Sequence, residues 1–438
     1  MTASVEDATN SSTRTRAWLE LTSLISLHIF ICCLSLVYVT KFYTYLQIVA
    51  FDKTHLYAAV LNVALFAVVS LLFAFSRFSF GYFLGFYFYT MILGYLWIVD
   101  FSKFAYDHTL ASVSAFASAL AFFGPALFIT SPIRQRAILS ARALDGLLYL
   151  ILILAATIIA TGALYNFRLV AITDIYNFRD QLQFPAWLRY AIGVTSNALL
   201  PFAFACFVAR RNRWRAAAAL LLLLLFYPIT LTKLAIFAPF WLLFLVLLSK
   251  FLETRTTAVL SLLLPLLIGV ILVLLVNFGA IPYALFISYF GTINFRMIAL
   301  PSIALDIYTD FFSTHDLTHF CQIQVLKPLI NCPYSDYLSI IMEKNYHLGN
   351  LNASLFATEG IASVGPLMAP LVAFICGLII AVANRLSAGL PARFILLSAG
   401  LLPQILLNVP LATTLLSNGG AILFLLWYVT PRKMFEES

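Results

Sequence analysis

Apolar runs of eighteen residues or more recur along nearly the whole chain. A helix needs about 20 apolar residues to cross the hydrocarbon core of a bilayer. Inside lipid the main chain must satisfy its own hydrogen bonds, so recurring runs of this length call for bundled helices. Only 10% of the residues are charged and 63% are hydrophobic, whereas a soluble globular domain carries about 25% charged residues. The expected fold class is an all-α polytopic membrane protein with about twelve transmembrane helices. No segment is long and polar enough for a soluble domain. Residues 1–17 (MTASVEDATNSSTRTRA) read as a short, disordered cytoplasmic tail. Residues 18–438 read as one transmembrane domain whose first apolar run is an uncleaved anchor.

Spans are placed near 19–39, 57–76, 79–99, 110–130, 144–164, 186–208, 214–231, 234–250, 257–278, 354–383, 391–411 and 416–431. The apolar stretch 280–313 is interrupted by Pro282, Gly291, Arg296 and Pro301, which suggests interfacial or re-entrant structure, with a further span as the alternative. No internal repeat is visible.

Basic residues near span ends set orientation. With the N-terminus in the cytoplasm, sixteen of the 26 Lys and Arg fall in inner loops, densest in SPIRQRAILSAR and ARRNRWR. The same loops hold seven acids, for a net inside charge of +9 against −1 outside. Both termini are therefore expected inside, with long outer loops near 165–186 and 279–353. The overall charge of +8 comes from helix ends and does not point to nucleic acid. Cys321 and Cys332 share a polar outer loop where a disulfide can form; Cys32, Cys33, Cys206 and Cys376 lie in apolar runs.

Several cations fall outside against this bias. Arg179 and Arg189 border the loop 165–186, Lys233 sits in the short turn TLTK, and Arg296 lies within GTINFRMIALP. Each abuts apolar sequence, where an unpartnered charge costs roughly 2.5–3.5 kcal/mol at the bilayer centre. As a group they suit an anion. Lys327 and Lys344 need no such reason, because long loops tolerate charge. Asp306 and Asp310 are four apart in LPSIALDIYTDFF, with Tyr308 between them, so a helix would put both carboxylates on one face. Glu359 lies seven residues into an apolar run that Asn350 and Asn352 introduce. His315 and His319 are also four apart but lack helical context, and they read as loop surface rather than as metal ligands.

Three blocks carry a family resemblance: TDIYNFRDQLQFPAWLRYAIGVTSNALLPFAFACFVARRNRW; TLTKLAIFAPFW followed by SYFGTINFRMIALPSIALDIYTDFF; and NLNASLFATEGIASVGPLMAPLVAFICGLI. In this order and spacing, over about residues 165–385, they resemble the Wzy-type O-antigen polymerases (oligosaccharide repeat-unit polymerases). In the family a Gly or Ser often precedes the lysine of the TLTK turn; here it is Thr232. The resemblance implies a GT-C-like, lipid-linked glycosyltransferase of the bacterial inner membrane with its site open to the periplasm. Its substrates would be undecaprenyl-diphosphate-linked oligosaccharides as donor and acceptor, with membrane lipids around it, no cofactor, no metal and a chain-length-regulating co-polymerase as partner. An O-antigen ligase shares this architecture, and a lipid-linked glycan flippase is a further reading.

Guanidinium forks match phosphate geometry and can stabilise a departing diphosphate. Arg179 and Arg296 are assigned to that role, with Arg189 and Lys233 in support. Tyr308 and Asn352 are counted among the substrate-binding residues. Glu359, Asp306, Asp310 and His347 are the candidates for the base that takes the acceptor's hydroxyl proton.

Overall fold

The computed structural model describes residues 2–43, 46–171, 174–175, 178, 182–323 and 325–435, with the main chain alone over 2–17. It is all-helical, as expected of a polytopic membrane protein. The helices are α1 Thr2–Phe42, α2 Leu56–Phe75, α3 Phe80–Phe101, α4 His108–Phe128, α5 Ala141–Tyr165, α6 Ala186–Ala209, α7 Arg213–Thr230 and α8 Lys233–Phe251. They continue with α9 Thr254–Asn277, α10 Tyr283–Thr314, α11 Leu338–Tyr346, α12 Phe356–Ser387, α13 Ala392–Ser398, α14 Leu402–Leu406, α15 Leu411–Leu416 and α16 Gly420–Val429. Eleven of the described helices are long and apolar enough to cross a membrane.

Two expectations are corrected. The main chain of 2–17 continues α1 as helix rather than forming a disordered tail. The apolar runs 391–411 and 416–431 are not continuous spans: they break into the short helices α13 to α16. Pro403 and Pro410 lack an N–H, and Gly419 adopts φ +80, so a continuous hydrogen-bond ladder is interrupted there. The eleventh long helix is instead α10, in the stretch read as interfacial or re-entrant.

The chain divides into two compact units. The first comprises Met1–Phe128, Arg255–Ile379 and Leu407–Pro410; the second comprises Ile129–Thr254, Ile380–Leu406 and Leu411–Ser438. The first unit is built around α3. Its sequence, FGYFLGFYFYTMILGYLWI, is apolar and aromatic on every side, and all of it is buried. A helix without a polar face belongs in the middle of a bundle. Phe73 of α2 meets the rings of Tyr82, Phe86 and Phe123 edge-on at 5.4–5.6 Å. Trp18 lies 6.0 Å from Phe75, and Arg255 Nη1 donates to Ser76 O at 3.4 Å. The starts of α1 and α9 therefore share one end with the close of α2; we call it the Arg77 end. The opposite end carries the linker 102–107 and is called the Asp107 end.

Two segments of this unit dip in from the Asp107 end and return to it. Near the close of α1, Tyr38 holds Phe286 and Phe290 at 5.2 and 4.8 Å. Deeper, Asn294 Nδ2 donates to Ser35 Oγ and Leu266 O at 3.0 and 2.8 Å. The helix bends at Ile293 (φ −107, ψ −74), winds through a π turn at Phe295–Ala299, and then runs outward along α3. Ser302 Oγ donates to Met91 O at 2.9 Å, and Asp306 reaches Ser102 beyond the end of α3. Long as it is, α10 has both ends at the Asp107 end.

The second dip precedes the crossing part of α12. Leu351 O accepts from Tyr308 Oη at 3.3 Å, and Phe356 is sunk between Phe88 and Phe122, mid-way along α3 and α4. The π turn Phe356–Ile361 carries the chain back until Gly365 (φ +74) breaks the helix. From Pro366 the helix follows α4 toward the Arg77 end, with Gly377 against Phe122 O and Pro125. Two prolines explain the polar contacts here. Pro366 has no N–H for Ala362 O, which instead accepts from Thr318 N at 2.8 Å. Pro370 likewise leaves Pro366 O free, and Ser114 Oγ donates to it at 2.5 Å.

Close approach of α10 to α3 depends on Gly94. A methyl there would sit 2.5 Å from Ser302 Oγ and 3.1 Å from Ile298 O. Gly94→Ala should therefore destabilise the protein by roughly 1–3 kcal/mol, the usual cost of overpacking. The test is the thermal midpoint in detergent, and an unchanged midpoint would remove Gly94 as the reason for the contact.

Candidate functional site

Four stretches of the first unit meet at the Asp107 end: the linker 102–106, the last turns of α10, the end of α11, and the extended chain before α12. Asp306 is fully buried. Its carboxylate accepts from Ser102 Oγ at 2.8 Å and from the Tyr106 hydroxyl. One helical turn on, Asp310 is partly exposed and accepts from Tyr346 Oη at 2.6 Å. Phe104 packs edge-on against Tyr346 at 5.4 Å, tying the linker to α11. The two carboxylates therefore share a face of α10, as their spacing predicts, and each meets a phenol. Burial, and then the neighbouring Asp306 carboxylate, hold the Tyr106 phenol well above its ordinary range. Burial and the bond to Asp310 raise Tyr346 in the same direction. Both phenols therefore keep their protons at neutral pH and act as donors.

The remaining expected residues of this unit are distributed around that cluster. Arg296 is partly buried within the π turn of α10, beside Phe295, whose ring stacks on Tyr43 at 4.7 Å. Tyr308 is wholly buried and its hydroxyl holds Leu351 O, so it anchors the second dip. Glu359 is buried inside the π turn of α12 and accepts from Thr358 Oγ1. Asn352 is exposed on the extended chain before that turn. His347 is exposed and closes α11 in a left-handed conformation, φ +55.

The loop 315–337 covers the second dip. Gln322 Nε2 donates to Thr358 O at 3.1 Å and to Ser363 Oγ at 2.7 Å. Cys321 and Cys332 form a disulfide, and Tyr334 Oη bonds to Asp316 O at 2.7 Å. His315 stacks on Phe311 at 3.9 Å, as a ring cap on the end of α10.

In the second unit the described residues of the loop 165–186 pack onto the TLTK turn. Tyr227 donates its hydroxyl to Val170 O, and Ile175, Tyr227 and Leu231 form a buried cluster flanked by Phe178, Leu182 and Ile236. Asn166 Nδ2 donates to Pro228 O and Ile229 O at 3.1 and 2.9 Å. Leu231 turns the chain in a left-handed conformation, φ +47, so that Thr232 caps α8 and Lys233 opens it. A cation at a helix N-terminus faces the positive end of the dipole, so Lys233 is not there for the helix's sake. Arg189 is exposed on the first turns of α6. Arg179 lies outside the described residues.

Sequence reading missed Ser102, Tyr106 and Tyr346. Ser102 and Tyr106 stand about two hundred residues from Asp306, and no local spacing announces such a pairing. Their signal is at most a polar, aromatic linker, FSKFAYDH, between two apolar helices.

No protein-family model, no curated protein and no solved structure matches the chain. The functional reading stands on the residues themselves.

Tyr106→Phe leaves the buried Asp306 carboxylate short of one donor. It should cost roughly 1–3 kcal/mol, the range for leaving a buried polar group unsatisfied, and adding Asp306→Asn should recover part of that loss. A thermal midpoint that does not move in the single variant would contradict this role. Thiol titration in denaturant without reductant should find four reactive cysteines, Cys32, Cys33, Cys206 and Cys376, and six after reduction. Six before reduction would show the Cys321–Cys332 pair open.

Proposed function

We propose that the chain is a glycosyltransferase of the Wzy type, which polymerises undecaprenyl-diphosphate-linked repeat units at the periplasmic face of a bacterial inner membrane. The observation that carries this reading is the pair of dips from the Asp107 end. Broken or bent main chain at membrane depth belongs where protein buries it or where it lines a polar cavity. Membrane proteins that handle polar substrates within the bilayer use such interruptions to present helix ends and side chains. Both dips lie in the sequence blocks that resemble the polymerases, and one of them carries Arg296 inside a π turn. Turns of this kind are frequent at functional sites.

In this reading the acceptor's sugar hydroxyl attacks the anomeric carbon of the donor. The bond from that carbon to the phosphate oxygen breaks, and undecaprenyl diphosphate leaves with the electron pair. Arg296 stabilises the negative charge that develops on the leaving oxygens. The hydroxyl proton passes to Glu359, the carboxylate set in the π turn of the second dip. Asp310 stands fourteen residues along α10 from Arg296, roughly 20 Å by helical rise, and so does not reach the same anomeric carbon. Asp306, buried with two donors, is a fixed anchor. Arg189 and Lys233, in the first turns of α6 and α8, give the second unit a cationic end suited to a polyprenyl diphosphate. The disulfide in the loop 315–337 agrees with an oxidising compartment on that side. The concentration of arginines at the opposite helix ends agrees with cytoplasmic termini.

Arg296→Ala should leave lipid A-core carrying a single repeat and abolish long glycan ladders on a gel, with protein abundance unchanged. Normal ladders would remove Arg296 from the mechanism. Purified protein given synthetic undecaprenyl-diphosphate repeat unit in EDTA should extend it. Transfer to lipid A-core alone would make the protein a ligase, and movement of the intact lipid across vesicles would make it a flippase.

A further inference from the structure

The second unit carries a cationic surface that the proposed reaction does not use. The segments 129–145 and 209–215 hold Arg134, Arg136, Arg142, Arg210, Arg211, Arg213 and Arg215 against one acid, Asp145. Part of this set is assembled by the fold. Arg142, Asp145 and Tyr149 lie on one face of α5 at helical spacing. Asp145 forms an ion pair with Arg210 at the end of α6. Arg215, in the first turn of α7, lays its guanidinium over the Tyr149 ring at 4.7 Å. The start of α5, the end of α6 and the start of α7 are thus drawn together, with Arg142 and Arg213 exposed beside them.

Positive charge at helix ends needs only to exist in order to set topology. Here it is joined to apolar surface of a particular kind. Trp214 stands 89% exposed amid the arginines, and Tyr149, Leu150 and Ile153 continue down the outer side of α5, between 46% and 63% exposed. Ile153 lies about one turn beyond Tyr149, roughly 5–6 Å along the axis. Cationic forks at headgroup level, an exposed tryptophan at the same level and an aliphatic strip below them match the three parts of a phospholipid: phosphate, glycerol backbone and acyl chain. One acid, already paired, leaves the site strongly positive and selects against zwitterionic headgroups.

We infer that Arg142, Arg213 and Arg215, with Trp214 and the α5 strip Tyr149–Leu150–Ile153, form a binding site for an anionic phospholipid of the surrounding leaflet. The site binds the phosphodiester of one lipid. It steadies the junction of α5, α6 and α7 at the end of the unit away from Lys233.

The test uses the full-length protein in a neutral detergent, titrated with phosphatidylglycerol, with phosphatidylcholine and with inorganic phosphate, and read by thermal midpoint and by native mass spectrometry. Phosphatidylglycerol should raise the midpoint and remain bound in the gas phase. Phosphatidylcholine and inorganic phosphate should do neither, because one lacks net charge and the other lacks acyl chains. The double variant Arg142→Gln/Arg215→Gln should bind phosphatidylglycerol roughly thirtyfold more weakly, and Lys327→Gln, exposed in the loop 315–337 of the first unit, should bind as the parent does. Equal responses to the two lipids, or parental affinity in the double variant, would overturn the site. Should the double variant fail to fold, Trp214→Ala serves instead: its exposed ring makes it tolerable, and an affinity for phosphatidylglycerol equal to the parent's would overturn the site as well.

Discussion

A main-chain carbonyl left in lipid without a donor costs several kcal/mol, and that penalty decides where this chain can interrupt its helices. The clearest case is α12. Two prolines four residues apart remove the donors that Ala362 and Pro366 would use in a helix. Thr318 N and Ser114 Oγ replace them, and Gln322 with Ser363 satisfies Thr358 O over the π turn. The loop 315–337 is therefore more than a polar connection. It supplies hydrogen bonds without which the second dip would be an unpaired break, and the Cys321–Cys332 disulfide limits how far the donors at 318 and 322 can wander.

The first dip depends on α3 in a different way. With no water to drive apolar surfaces together, membrane helices associate through close packing and a few polar contacts. At Gly94 and Ser302 the two helices touch closely, and at the Asp107 end the Asp306 carboxylate closes the contact through Ser102 and Tyr106. An aspartate buried this completely is tolerable because both its partners are hydroxyls that keep their protons. Removing one partner leaves a buried polar group short of a hydrogen bond. The same arrangement leaves Asp310 one turn further and nearer solvent, where it accepts from the Tyr346 hydroxyl.

Ten of the twelve spans were legible from hydropathy because α1 to α9 are apolar helices of sufficient length and α12 keeps an apolar crossing part beyond its break at Gly365. The stretch 280–313 was also legible as re-entrant: Pro282, Gly291, Arg296 and Pro301 are features that a simple crossing does not need. Hydropathy failed at the C-terminus for a physical reason. It sums transfer preference over a window and is blind to the hydrogen-bond ladder, so 391–411 and 416–431 score as spans although Pro403, Pro410 and Gly419 divide them. The site was legible only in part. Asp306 and Asp310 were placed on one face by counting along a helix, whereas Tyr106, Ser102 and Tyr346 reach them through tertiary packing, for which one sequence carries no register.

Three π turns among the described residues show where counting along a helix breaks down. They lie at Thr195–Leu199, Phe295–Ala299 and Phe356–Ile361, one in each of the three blocks that carry the family resemblance. Two of them stop two residues short of a proline, Pro201 and Pro301. A proline's ring presses on the carbonyl four residues back, and widening the preceding turn relieves that pressure. Each extra residue in a turn rotates everything beyond it relative to everything before. Asp306 and Asp310 both follow the π turn of α10, so their common face survives. Arg296 and Glu359 lie inside such turns, and periodicity assigns them to no face. The residues whose direction is hardest to read from the sequence are thus the charged ones set at membrane depth. That follows from one cause: a wider turn exposes main-chain polar groups, and a charged side chain at that depth is tolerated where polar groups already gather.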